Sequence, residues 1–237
     1  MWTEGQQRAI DTAPFFLPVS CEPGRYHRGM DEVQAEVLGF WFAGIEAGSV
    51  DDMPSWQKRV LRWFQGGPEL DREIRERFGA LHERAREGAL DRWSETGDGL
   101  RALVIVFDQF SRNLHRGSPL AFAQDARARA LVDLALRRGD DRALHWYERL
   151  FLILPLGHSE ELADQDRSLA YLESSLVPLI PAALAPLAEL NRRQARGHRE
   201  SIARFGRFPG RNQALGRVST PEELAYLEEA RAAGRPV

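Results

Sequence analysis

Three segments concentrate side chains able to do chemistry: DQFSRN (108–113), HSEELADQ (158–165) and HRESIARFGRFPGRN (198–212). His158 and His198 supply imidazoles, which titrate near neutrality and suit proton transfer. Asp108 is the acid that could orient one of them, completing a catalytic set of His158, His198 and Asp108. Arg112, Arg207 and Arg211 carry planar guanidinium forks that match carboxylates and phosphates. Gln109, Asn113, Gln165 and Asn212 add hydrogen-bonding groups. Together these residues point to acid–base chemistry on a small anionic molecule, provided that they converge.

Each motif also has a plainer explanation. Asp108 and Arg112 stand four apart and can pair on one helix face. Ser159 is a natural N-cap with acids behind it, where the helix dipole favours them. Asn191 to Arg217 holds eight arginines and one acid, Glu200. Within it Arg193, Arg196 and Arg204 fall on a solvated face, whereas Ala195, His198, Ile202 and Phe205 fall on the opposite one. His158 and Glu161 have a spacing seen in metal sites, but that signal alone is weak and no metal ligand is assigned. No cofactor is identified. The basic run lacks a nucleic-acid motif, so no nucleic-acid partner is expected. Walker, GxGxxG, GxSxG, HExxH and CxxC patterns are all missing, which removes the common kinase, dehydrogenase and hydrolase templates at motif level.

These residues must be held by helices. Apolar positions recur at helical spacing from Asp31 to about Ala47, through Val33, Val37, Phe40 and Trp41. Pro54 opens a second helix, and Gly66-Gly67-Pro68 ends it. The next runs from 68 to 87 on the stripe Leu70, Ile74, Phe78 and Leu81. Residues 99–115 are apolar all round at Leu103–Phe107, which predicts a central buried helix carrying DQFSRN at its end. Ser118 caps a helix to Arg138. Another covers 141–156, broken by Pro155 and Gly157. Ser159 starts a helix to 176 whose stripe Leu162, Gln165, Leu169 and Leu172 turns Gln165 inward. A long helix covers 183–205, 206–219 is loop, and Thr220 caps a last helix. The expected architecture is all-α, with about nine helices in antiparallel pairs. It divides into an irregular arm (1–30), one helical domain (31–232) and a frayed tail (233–237).

Composition agrees with a globular domain: 43% apolar and 28% charged residues with a net charge of −3 are ordinary for a folded chain. The single cysteine, Cys21, forbids an internal disulfide and any Cys-rich zinc motif. No apolar run approaches roughly 18 residues, so no membrane span is expected. No signal peptide is legible at the N-terminus, and a cytoplasmic location is expected.

In EVLGFWF (36–42), WFQGGPELDREIRERFG (63–79), VFDQFSRNLHRGSPLAFAQDARARAL (106–131), ERLFLILPLGHSEELADQDRS (148–168) and HRESIARFGRFPGRNQALGRVSTPEE (198–223), the chain resembles the bacterial domain-of-unknown-function 924 family. The resemblance implies a tetratricopeptide-like helical fold and places family positions at Asp108, Gln109, Arg112, Asn113, His158, Gln165, His198, Arg207, Arg211 and Asn212. It implies no particular reaction. Gly157 and Gly210 depart from the pattern, the second standing where a histidine is common. Such folds also offer grooves to peptides. The alternative to a small-molecule site is therefore a scaffold for a peptide or protein partner, with Trp41, Trp63 or Trp93 exposed in the groove and the polar motifs purely structural.

Overall fold

The computed structural model describes residues 31–42 and 66–232, with Trp56, Arg59, Val60, Arg62 and Trp63 between them. The expectations for 1–30, 43–47 and 233–237 lie outside these residues. Eight helices are present among the described residues, without a strand: α1 (Glu32–Trp41), α2 (Gly67–Arg86), α3 (Gly97–Val104), α4 (Asp125–Arg138), α5 (Trp146–Gly157), α6 (Leu162–Tyr171), α7 (Ala185–Phe205) and α8 (Pro221–Ala232). Trp56 to Trp63 are helical where described. The all-α class holds.

Local chemistry explains several helix ends. The Asp31 carboxylate accepts from the Val33 and Gln34 amides and opens α1, satisfying donors that have no intrahelical partner. Thr96 caps α3 by accepting from Gly99. Thr220 and Glu223 form a reciprocal capping box at α8: Thr220 N donates to Glu223 and Glu223 N donates to Thr220. Gly206 ends α7 at φ +67, a conformation that side chains with a Cβ rarely adopt.

Several boundaries differ from the sequence expectation. Ser118 caps only a short 3₁₀ turn, Pro119–Phe122, and α4 starts afresh at Asp125, after Gln124 leaves helical geometry at φ −101, ψ 2. Residues 140–143 likewise form a separate 3₁₀ turn. Pro155 lies inside α5, which runs on to Gly157; near a helix end a proline removes only one bond. Ser159 does not start α6. Its hydroxyl accepts from Glu161 N, making a local turn that competes with helix, so Glu161 becomes the N-cap. Val33 and Leu162, both placed on apolar stripes, are exposed.

Helix α3 is the centre. It continues without a break through a π-helical stretch, Ile105–Phe110, to a last turn, Ser111–Leu114. Around it pack α1, α2, α4 and α5. Helix α6 lies between α5 and α7, and α8 rests on a short turn at Pro209–Arg211. The stripe Leu70, Ile74, Phe78 and Leu81 of α2 is buried as expected. Phe110 meets Trp41 edge-on at 5.8 Å, and Trp41 meets Phe151 at 90° and 5.5 Å. Such contacts each add about 0.5–1.5 kcal/mol beyond area burial. This aromatic core fixes where the far end of α3 projects.

Candidate functional site

The π-helical stretch of α3 holds Asp108 and Gln109, both buried. Short π segments within α-helices cost backbone geometry and recur at functional sites. Asp108 faces the turn after α5. Its Oδ1 lies 2.7 Å from His158 Nδ1 and 3.0 Å from an Arg112 nitrogen. Its Oδ2 accepts from the Gln109 amide at 2.6 Å. Burial alone would push this carboxyl up, but Arg112 and then His158 hold it down at about 2. Asp108 is therefore an ionised acceptor, and His158 Nδ1 must carry the proton. The imidazole itself stays neutral near pH 7. Burial and the nearby Arg112 and Arg211 charges lower its pKa against the pull of Asp108. Its Nε2 is left with a lone pair and no hydrogen bond among the described residues.

Two arginines flank this pair unequally. Arg112 grips Asp125 of α4 through both nitrogens, at 3.0 and 3.1 Å, and donates to the Asp108 carbonyl. With two carboxylates its charge is matched, and its pKa rises despite burial. Arg211, from the turn after α7, donates to the His158 carbonyl at 2.8 Å. Its guanidinium lies over the Phe122 and Phe208 rings at 4.7 and 4.5 Å. The carboxylate nearest to it is Asp125, 3.6 Å away and already held by Arg112. Burial and the Arg112 charge lower the Arg211 pKa to about 10. Arg211 is thus less closely matched by carboxylates than Arg112.

His198 of α7 stands beside this cluster, its ring centroid 5.3 Å from that of Phe208 in an edge-on arrangement. Burial and then the neighbouring His158 lower its pKa to about 4, against the Gly157 carbonyl. The structure thus brings together Asp108, Gln109, Arg112, His158, His198 and Arg211.

It places the other four elsewhere. Gln165 donates to the carbonyls of Gly157 and Ser159 at 2.9 and 2.6 Å, so it positions His158 by holding the turn on either side of it. Asn113 donates to Asp71 of α2 at 2.8 Å. Asn212 and Arg207 both turn to Glu223 of α8, clamping the loop to the last helix. Arg193, Arg196 and Arg204 are exposed as expected.

Three residues outside the expected catalytic and ligand-binding set also carry weight. Asp125 is the shared carboxylate. Glu160 accepts from Phe208 N and from both terminal nitrogens of Arg217, pinning the FGRFPGRN loop over the His158 turn. Phe122 supplies the ring beneath Arg211. Asp125 and Glu160 look unremarkable in sequence, because an acid in the first turn of a helix is already explained by the helix dipole, and Phe122 carries no polar signal at all. The tryptophans expected to mark a peptide groove, Trp41, Trp63 and Trp93, are all buried.

Comparison with known proteins agrees with this architecture. Residues 37–231 match the family described as "Bacterial protein of unknown function (DUF924)". A solved structure, that of the protein of unknown function ATU0120 from Agrobacterium tumefaciens, is 34% identical, with a TM-score of 0.67 over 84% of this chain and 98% of that one. No curated protein matches the chain. By the extent of the family match, the chain belongs to the bacterial DUF924 family.

Proposed function

We propose that the chain binds a small anionic molecule between Arg211 and His158, and that His158 Nε2 acts on it as a general base. The observation that carries this reading is the 2.7 Å contact between His158 Nδ1 and the ionised Asp108. It fixes the tautomer and leaves a neutral imidazole's lone pair on the side of the ring away from Asp108, near an arginine with a less closely matched charge. A lone pair repels a bare anion, so the ligand must present a proton to Nε2 and its anionic group to Arg211. Hydroxycarboxylates and monohydrogen phosphates have that shape. Asp108 would stabilise the imidazolium formed on proton transfer, as an orienting acid does in Asp–His pairs. His198, held neutral, borders the site as a second hydrogen-bonding group.

The competing reading, that these groups only tie α3, α4, α5 and the Arg211 turn together, is favoured by the matched charges of Arg112, Asp108 and Asp125. A thermal-shift series with inorganic phosphate, glycolate and citrate separates the two. On the first reading at least one probe raises the melting temperature with a concentration dependence set by mass action. That shift disappears in Arg211→Met and His158→Ala. On the second reading no probe moves the wild type, while both variants still melt lower.

A further inference from the structure

A second histidine cluster lies away from Asp108, where α2 meets the end of α3. His82 of α2 is buried at 1% exposure. Its Nε2 lies 2.8 Å from the Ser111 hydroxyl, and its Nδ1 has no hydrogen-bond partner. If Nδ1 carried the proton, a donor would be buried unmet. With the proton on Nε2, donated to Ser111, Nδ1 instead presents a bare lone pair. That nitrogen lies 4.0 Å from a carboxylate oxygen of Glu83. The His115 ring lies 5.4 Å from the His82 ring, centroid to centroid. One ligand atom from each of the three residues falls within 4.8 Å of the others. Three potential ligand atoms are therefore grouped within a few ångströms of one another.

We propose that His82, Glu83 and His115 bind a divalent transition-metal ion of the Zn²⁺ type. Two imidazoles and one carboxylate suit such ions, with bonds of about 2.0–2.2 Å and a fourth position left for water. Ligand atoms of a tetrahedral site lie about 3.4 Å apart on that bond length, so the set must close by an ångström or so. The residues allow it. Glu83 is exposed, and its present partner is Arg86 one turn on, an exposed pairing that is easily exchanged. His115 caps the end of the α3 helix, and its ring makes no hydrogen bond among the described residues. Its backbone is nonetheless fixed. Asn113 and Arg116, on either side, both grip Asp71 of α2, and Arg75 of α2 donates to the Leu114 carbonyl. The helix that carries His82 and Glu83 thus also holds His115 in place. Ser111 supplies the outer hydrogen bond that metal-bound histidines ordinarily make.

The test is titration of the full chain, purified with chelator, with Co²⁺ followed by visible absorption and with Zn²⁺ in competition. The expected result is one Co²⁺ per chain with the intense absorption of a low-coordinate site, displaced by Zn²⁺. His115→Ala and Glu83→Gln, both at accessible positions, abolish the band while far-ultraviolet circular dichroism is unchanged. Ser111→Ala weakens binding roughly 10–100-fold, as loss of an outer-shell partner does. His158→Ala leaves it intact, so the outcome is independent of the anion site. Wild type without the band, or a band that persists in His115→Ala and Glu83→Gln, overturns the proposal.

Discussion

Asp108 is wholly buried and stays ionised because Arg112, His158 and Gln109 all act on its two oxygens. Removing that charge strands the others. Asp108→Asn is expected to lower stability by about 3–5 kcal/mol, the usual cost of breaking a buried ion pair from one side. Urea unfolding checks it, and a loss under about 1 kcal/mol would place the pair in water instead. The histidines give a pH signature. His82 and His198 are both held down at about 4, chiefly by burial, from an ordinary 6.5. Between those values the unfolded chain binds more protons than the folded one, so stability must fall as pH drops through the window. His198→Gln should flatten that slope by one proton's worth in urea midpoints measured across it; an unchanged slope counts against the half-buried, neutral ring. The inward direction of Gln165 was legible from helical phase. The roles of Asp125 and Glu160 were not, because their pairing depends on helices that meet only in three dimensions.

Among the helices, the π stretch of α3 matters most for the site and was the least visible beforehand. Its six residues, Ile105–Phe110, are all buried, so no solvent-exposed face marks the change of period. The same burial makes it testable. Phe110→Ala, at a position enclosed by Phe40, Trp41 and Phe78, should cost about 3–5 kcal/mol, read by urea unfolding. The Arg207–Glu223 contact makes a second prediction. Glu223 accepts from Arg207, Asn212 and the Thr220 amide. Glu223→Gln should therefore raise amide exchange in α8 and in 207–212 while α2 and α3 remain protected. Uniform exchange would show that the clamp is not local. The Thr220 cap and the α2 stripe were readable because their signals are local. Ser159 was not, since the same hydroxyl can cap a helix or close a turn before it.

At the scale of the whole molecule, composition and apolar periodicity were enough to foresee an all-α chain, and the buried aromatic core of α1, α2, α3 and α5 bears out that class. They could not show that Trp41, Trp63 and Trp93 would be spent in that core, which leaves the polar cluster as the stronger candidate for recognition. That cluster joins segments about 50 residues apart, at Asp108, His158 and Arg211, and only tertiary packing assembles it. The measurement that tests it most directly is nitrogen-15 NMR of the His158 ring at neutral pH, with and without glycolate or inorganic phosphate. The account predicts a neutral ring protonated at Nδ1, with an Nε2 signal that moves on addition of a probe and stays still in Arg211→Met. A charged ring, a proton on Nε2, or an Nε2 signal that ignores every probe would contradict it.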